Sequence, residues 1–338
     1  MMKQKLSIVI LNWNGKKYLK DFLPVLLMYT PDYAEVVVVD NASTDDSVKF
    51  LQENFSHVRL IQNPSNGGFS KGYNFALQQI DAEYYCLLNS DIEVTENWVE
   101  PVISMMDSDP QIGAVQPKLR AFKQRDSFEY AGASGGFIDK YGYPFCRGRL
   151  FETVEKDVGQ YDDCMEIFWA TGAALFVRSE IYHLLGGLDE DFFAHMEEID
   201  FCWRIKNLGY KIMVQPQSVV YHVGGGTLPK QNSLKTFLNF RNNHFLLIKN
   251  LPKKRLIITV FVRFFLDIAA ACLFLIKGNH KDFLAVFKAM SASVAGYKKM
   301  RKKRGNTPKN AYQDVSKKSI VYLHYIKKKQ YFNGKNFS

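Results

Sequence analysis

No CxxC pair occurs among the five cysteines (86, 146, 164, 202 and 272), and an odd number leaves one thiol over in any disulfide scheme. That argues against a disulfide-stapled scaffold and for a reduced compartment. Zinc spacing is absent as well: histidines 57, 183, 195, 244, 280 and 324 form no ligand pattern, and His222 stands alone before three glycines. Neither GxGxxG nor GxxxxGK[ST] is present, so neither the dinucleotide fingerprint nor the P-loop applies. The amino terminus passes from MMKQK into only the short run SIVIL, too little for a secretory signal peptide, so a cytoplasmic chain is expected. There are no internal repeats. What is abundant excludes disorder: of 338 residues, 47% are hydrophobic and 14% aromatic, enough for two domains.

Acidic residues almost vanish after residue 227. Residues 1–227 hold 20 Lys and Arg against 31 Asp and Glu, whereas residues 228–338 hold 24 against 3 (Asp267, Asp282 and Asp314). A balance of −11 followed by +21 predicts two jobs, with the basic third facing an anionic partner, a membrane surface or a nucleic acid.

The first hundred residues alternate two periods. Apolar runs at 6–11, 35–39, 58–63 and 84–89 read as buried strands. KKYLKDFLPVLLMY, VKFLQENF and YNFALQQI read as helices, with Pro24 expected to kink or end the first. Buried strands alternating with helices predict an α/β fold whose mainly parallel sheet is flanked by helices. Ligands bind such sheets beyond the carboxyl ends of the strands, where Asn12, Asp40, Asn66 and Asp91 all fall. The glycine-rich 130–149 stretch reads as a mobile loop or hairpin. MEEIDFCWRIKNLGYKI reads as a helix ending at Gly209, and MVQPQSVVYHVGGG as a strand and glycine turn.

Several residues could carry chemistry. Asp91 and Asn89 in NSD follow a buried strand, and oxygen ligands there suit a hard divalent cation; a turn or helix cap is the plainer use. Asp40 could accept hydrogen bonds from a nucleoside or cap the next helix. The loop NPSNGGFSKG offers backbone N–H groups and Lys71 to an anion, or is a structural turn. Glu197, Glu198 and Asp200 crowd three carboxylates, which raises at least one pKa as a general base needs; Asp200 and Arg204 also form an ordinary i,i+4 ion pair. The aromatic and apolar neighbours Phe192, Phe193, Met196, Phe201 and Trp203 favour a cleft over a solvated helix start.

Taken in order, SIVILNWNG, VVVVDNASTDDS, NPSNGGFSKGYNFAL, YYCLLNSDIEV, ATGAALFVRSEIYHLLGGLDEDFF, EEIDFCWR and VVYHVGG resemble the family 2 glycosyltransferases of GT-A fold, in the rhamnosyltransferase-like branch of polysaccharide synthesis. The resemblance implies a GT-A nucleotide-diphospho-sugar transferase domain over 1–227, with a nucleotide-binding half (1–115) and an acceptor half (116–227). A helical, basic, membrane-associating region would follow over 228–338. It implies inverting transfer of a sugar such as rhamnose from a nucleotide-diphosphate donor to a hydroxyl of a lipid-linked glycan. By position, Asn12, Asn14, Asp40, Asn66, Gly67, Lys71 and Asp91 would bind the nucleotide. Asp91, Asn89 and His222 would hold a divalent metal, Mg2+ or Mn2+. Glu198 is implied as the base with Glu197 beside it, and Trp169, Gly172, Asp200 and Arg204 as acceptor and sugar contacts. Asn89 departs from the family's acidic pattern. A non-catalytic sugar-nucleotide or polysaccharide-binding protein on the same scaffold is the alternative.

One run, 256–276, contains 14 Leu, Ile, Val or Phe in 21 residues and is long enough to span a bilayer. Arg263 and Asp267 interrupt it, and Thr259, Arg263, Asp267 and Ala270 share one helical stripe. Spanning would carry 16 basic residues across the membrane, against the positive-inside rule. Peripheral attachment to the inner face is expected, with KKMRKKR at 298–304 meeting anionic lipid. No nucleic-acid-binding motif accompanies the charge.

Overall fold

A computed structural model describes residues 4–224, 232–304 and 310–332. Strands β1 (Gln4–Asn12), β2 (Ala34–Asp40), β3 (Arg59–Gln62) and β4 (Ala82–Asn89) alternate with helices α1 (Lys16–Met28), α2 (Ser47–Asn54) and α3 (Gly68–Leu77). They pair in parallel in the order β3-β2-β1-β4, with Asn12 opposite Asp40 and Leu11 opposite Asn89. The strand interiors are apolar on both faces because helices cover both. Pro24 lies inside α1, which continues to Met28. The missing N–H costs one helix bond, and burial of Leu19, Phe22, Leu23 and Leu26 holds the helix together regardless.

Beyond β4 come β5 (Ile92–Val94), α4 (Glu100–Ser108) and β6 (Ile112–Ala121). Short strands β7 (Gly136–Ile138), β8 (Pro144–Cys146), β9 (Arg149–Leu150) and β10 (Thr153–Val154) build a separate antiparallel sheet from the glycine-rich stretch. Then follow β11 (Met165–Glu166), β12 (Ala174–Arg178), α5 (Ser179–Leu184), α6 (Glu197–Asn207) and β13 (Lys211–His222). The large sheet runs β11-β13-β6-β12-β4-β1-β2-β3, with β5 on β13. β12 is antiparallel to both neighbours, and β6 and β13 pair in parallel. As expected, α6 stops short of Gly209, whose φ of +93° suits glycine.

Three long helices follow among the described residues: α7 (Ser233–Asn250), α8 (Lys253–Ile276) and α9 (His280–Lys303). Phe245, Leu246, Leu247 and Ile248 of α7 enter the same core as Phe192, Phe201 and Trp203. Residues 310–332 return to the small sheet: Ser316 N donates to Ile138 O (3.0 Å) and the Phe332 ring stacks on Phe137. The basic third is thus packed onto the α/β unit. The expected boundary at 227/228 and the glycines Gly225 and Gly226 lie outside the described residues.

Candidate active site

The carboxyl ends of β1, β2 and β4 form a polar rim. Asn12 ends β1 fully buried and donates from Nδ2 to Asp40 Oδ1 (3.2 Å) and Ser43 Oγ (3.3 Å). Its Oδ1 has no partner and points to Gly15, where a Cβ would lie 2.3 Å away. Asp40 also accepts from Ser43 N (2.9 Å). Asn14 adopts φ 51°, and its Oδ1 accepts from Thr44 N (2.7 Å) and Asp45 N (3.3 Å), tying the first two loops together.

The third loop closes against the acidic segment. Asn66 Oδ1 accepts from Asn41 Nδ2 (3.0 Å) and Gly68 N (2.9 Å). Phe69 N donates to Phe193 O (2.8 Å). Gly68, at φ +81°, permits that approach, since a Cβ there would meet Phe193 O at 2.4 Å. A Cβ on Gly67 would strike the Lys71 side chain, which is exposed at the mouth of the loop.

Asp91 and His222 meet because β5 aligns His222 opposite Ile92. His222 Nε2 lies 3.1 Å from Asp91 Oδ1, and Nδ1 lies 3.3 Å from Glu129 Oε1. All three are buried. Burial opposes the charged form of His222, but Glu129 and Asp91 overcome it and push its pKa up to about 10. Burial likewise opposes ionisation of Asp91, and the imidazole beside it holds the carboxyl below the usual range. Neighbouring ligands of an octahedral Mg2+ or Mn2+ at about 2.1 Å stand about 3 Å apart. The Asp91–His222 spacing is that of two adjacent ligands of such an ion, which would have to displace the proton the two side chains share here. Asn89 sits half-buried at the end of β4. Among the described residues, no three His, Cys, Asp or Glu converge as a cage, so such an ion would rely on its ligand's oxygens and water.

Glu197 and Glu198 open α6. Each has a buried Oε2 without a hydrogen-bond partner. Burial pushes Glu198 up to about 7; burial and the neighbouring Glu198 drive Glu197 well above its ordinary range. Gly172 lies between Phe69 and Glu198, and a Cβ on it would sit 3.2 Å from Phe69 Cζ and 3.5 Å from Glu198 Cβ. The Asn66–Lys71 loop and its helix, Gly172 and the acidic pair are therefore neighbours.

Asp200, Arg204 and Trp169 have other partners. Asp200 is fully buried and accepts from Arg204 Nε (2.9 Å), Lys249 Nζ (2.7 Å) and Asn250 Nδ2 (2.8 Å). Arg204 also donates to Leu185 O and Gly187 O. Trp169 is buried and donates from Nε1 to Phe137 O (2.8 Å). These groups hold protein to protein where acceptor contacts were expected: Asp200 and Arg204 sit on the side of α6 that meets α7 and the turn after α5. Sequence reading missed Glu129, whose only signal was a lone carboxylate entering the glycine-rich stretch.

Residues 7–165 match the family model Glycosyl transferase family 2. The chain is 24% identical over 239 residues to an N-acetylglucosaminyl-diphospho-decaprenol L-rhamnosyltransferase of Mycobacterium tuberculosis, covering 65% of this chain and 76% of that one. Its structure resembles GalNAc-T7 with UDP, GalNAc and Mn2+ (TM-score 0.59, 17% identity, 74% of this chain and 49%, about half, of that chain). It also resembles a mannosyltransferase of Pyrobaculum calidifontis in complex with GDP-Man and Mn2+ (TM-score 0.52, 16% identity, 97% and 89% covered). The family 2 match covers just under half of the chain, and the likeness to these structures shows the GT-A fold.

Proposed function

We propose that this glycosyltransferase moves a sugar, rhamnose foremost, from a nucleoside diphosphate to a hydroxyl of a lipid-linked glycan, with inversion at the anomeric carbon. The observation that carries the reading is the pair of buried carboxylate oxygens without a hydrogen-bond partner, Oε2 of Glu197 and Oε2 of Glu198, set beside the loop at Asn66, Gly67 and Lys71. A carboxylate with a pKa near 7 is ionised often enough to accept a proton and basic enough to hold it. The rhamnosyl and lipid-linked choices follow the mycobacterial relative's name.

Asn12, Asn14 and Asp40 orient the nucleoside at the strand ends, and the Asn66–Lys71 loop with its Lys71 ammonium faces the diphosphate. Asp91 and His222, with Asn89 beside them, would hold Mg2+ or Mn2+. Such an ion, when bound, offsets charge developing on the leaving diphosphate. Glu198 takes the proton of the acceptor hydroxyl as its oxygen bonds to the anomeric carbon and the bond to the diphosphate oxygen breaks. One displacement inverts the centre, and no covalent sugar–enzyme intermediate is needed. The basic third would place this reaction at the anionic inner face of the cell membrane.

The test is thermal unfolding of the full chain with dTDP-rhamnose, UDP-GlcNAc and GDP-mannose, each with Mg2+, Mn2+ or chelator. Metal-dependent stabilisation by one donor, with release of its nucleoside diphosphate on adding a lipid-diphosphate-linked sugar, is the expected result. If no donor stabilises the protein or releases its nucleotide under any of these conditions, the reading fails.

A further inference from the structure

Helix α8 is amphipathic in the reverse sense from a soluble helix. Its inward stripe is polar, with Thr259, Arg263 and Asp267 no more than 3% exposed. Arg263 pairs with Asp267 (3.0 Å), donates to Tyr141 O (3.1 Å) and Asn243 Oδ1, and stacks over the Tyr143 ring; His244 Nε2 lies 2.7 Å from Asp267. Its outward face carries no charge from residue 257 to 276, and Ile257, Phe261, Phe265 and Ile276 are 56–81% exposed. None of the described residues covers that face, which is about 30 Å long. Lys253, Lys254 and Arg255 precede it and Lys277 follows.

Two observations choose the occupant. A second copy would bring the basic flanks of one helix, Lys253, Lys254, Arg255 and Lys277, against those of another, whereas anionic lipid complements both flanks and lysine stems can reach its headgroups. Spanning would pull Arg263, Asp267 and Thr259 off the catalytic unit into hydrocarbon, leaving a buried ion pair without its surroundings. We propose that α8 lies in the plane of an anionic membrane, its apolar face in the acyl region of one leaflet and its polar stripe on the catalytic unit. Residues 253–276 therefore dock without crossing. The inference rests on the membrane placement above and is independent of donor and mechanism.

Flotation of the full chain with phosphatidylethanolamine–phosphatidylglycerol vesicles tests it. The wild type should float at low salt and in 1 M NaCl, since apolar insertion is not screened. The exposed-face variant F261S/F264S/F265S should lose about a hundredfold in high-salt affinity, each ring being about half exposed for immersion. Protease added outside the vesicles should cleave residues 277–338 completely. A nitroxide on Cys272, which is exposed on α8, should report an apolar, oxygen-rich surrounding. Equal flotation of the variant in high salt, protection of the tail, or a nitroxide that stays aqueous overturns the proposal. So does a variant that loses dimeric mass without losing flotation, which would assign the face to a second copy. If the wild type does not float even at low salt, the membrane placement itself fails.

A separate observation concerns the segment before Glu197. Phe193, His195 and Met196 all have φ between 64° and 71°, a strained run for non-glycine residues. Asn242 of α7, fully buried, directs its Nδ2 to the carbonyls of Phe192 (2.9 Å), Ala194 (2.8 Å) and His195 (2.8 Å), and its Oδ1 accepts from Arg241. Arg241 adds bonds to Asp191 O and Phe192 O. We infer that Asn242 is a positioning residue that holds this strained run so that the acidic pair faces the nucleotide loop. Asn242→Asp keeps the acceptor for Arg241 and removes the donor. In hydrogen exchange, both Asn242→Asp and Asn242→Ala should speed the 190–199 amides at least tenfold while β1–β4 stay unchanged. Turnover should fall at least tenfold with donor affinity preserved. Unchanged exchange at 190–199, exchange that rises uniformly across the chain, or a loss carried by donor affinity alone each refutes the role.

Discussion

Replacing Glu198 with glutamine should damage activity and improve stability at the same time, and the two effects should separate with pH. Glu198 has a buried, unpartnered Oε2 and a pKa pushed up to about 7 by burial. In the unfolded chain the same carboxyl titrates near 4.3. The folded state therefore binds the proton more tightly, so stability is full below about pH 4 and is lost as pH rises towards 7. The gap is worth at most about 4 kcal/mol at pH 8, a ceiling because part of the side chain reaches solvent. Glu198→Gln removes the ionisation and should gain up to that amount at pH 8, with most of the gain gone by pH 5. Turnover at saturating donor should fall by about 10²–10⁴, the usual cost of losing a general base. The wild-type rate should climb through about pH 7, on a limb that belongs to the Glu197–Glu198 pair jointly. Urea unfolding at pH 5 and 8 and a pH–rate profile measure both halves. A variant that keeps turnover, or is no more stable at pH 8 than the wild type, refutes the assignment; a greater loss in Glu197→Gln moves the base to Glu197.

Asp91→Ala should abolish metal-dependent donor stabilisation and also lower the apo unfolding transition, because it removes a buried carboxylate paired with His222; unchanged Mn2+ binding by electron paramagnetic resonance would count against the ligand role. Glu129→Gln should weaken Mn2+ binding by about 10–100-fold, because the carboxylate 3.3 Å from His222 Nδ1 sets the orientation of that ring; wild-type affinity would show that Glu129 is not its orienter. Gly68→Ala should cost about 1–3 kcal/mol in urea and loosen donor binding, since a Cβ cannot fit against Phe193 O at a φ of +81°. Lys249→Met should cost up to about 3–5 kcal/mol by removing the cation shared by the buried carboxylates of Asp189 and Asp200, which keep only Lys303 and Arg204 as charged partners, and a neutral result in urea would contradict the pairing.

What could be read from sequence follows from which signals are local. The four parallel strands and their polar ends were legible because each strand is a continuous apolar run that stops at a polar residue, and Asn12, Asp40, Asn89 and Asp91 need only that rule. The Thr259–Arg263–Asp267 stripe was legible for the same reason, being a helical period with polar letters. The antiparallel insertion of β12 was not, since ALFVR reads the same in either direction. Nor was Glu129, which reaches His222 only because Glu129 N bonds Leu119 O and β6 pairs with β13. Nor were the asparagines of α7, since only the tertiary structure shows Asn242, Asn243 and Asn250 turned inward.

The charge asymmetry has two components once the partners are known. Part of the +21 of the last third neutralises the acidic body of the same chain: Lys249 pairs with Asp189 and Asp200, Lys299 with Asp191, and Lys303 with both Asp189 and Asp191. Asp189 is held well below the ordinary carboxylate range, because Lys249 and Lys303 outweigh its burial. Arg304 is likewise occupied, donating to Ile248 O and Leu251 O. Half of the KKMRKKR cations therefore serve the fold, at Asp189, Asp191 and the end of α7, and replacing all six would confound loss of lipid attraction with loss of structure. The basic charge left for a membrane lies on Lys298, Arg301 and Lys302, which have no ion pair among the described residues, and on the lysines flanking α8. At about 1 kcal/mol for each charge close to the surface, three such cations supply attraction that salt removes, while the apolar face of α8 supplies attraction that salt does not. Substituting glutamine at Lys298, Arg301 and Lys302 should thus weaken low-salt flotation by about a hundredfold and leave both high-salt flotation and urea stability unchanged. Loss of high-salt binding in that variant would show that the cluster, and not α8, carries the attachment.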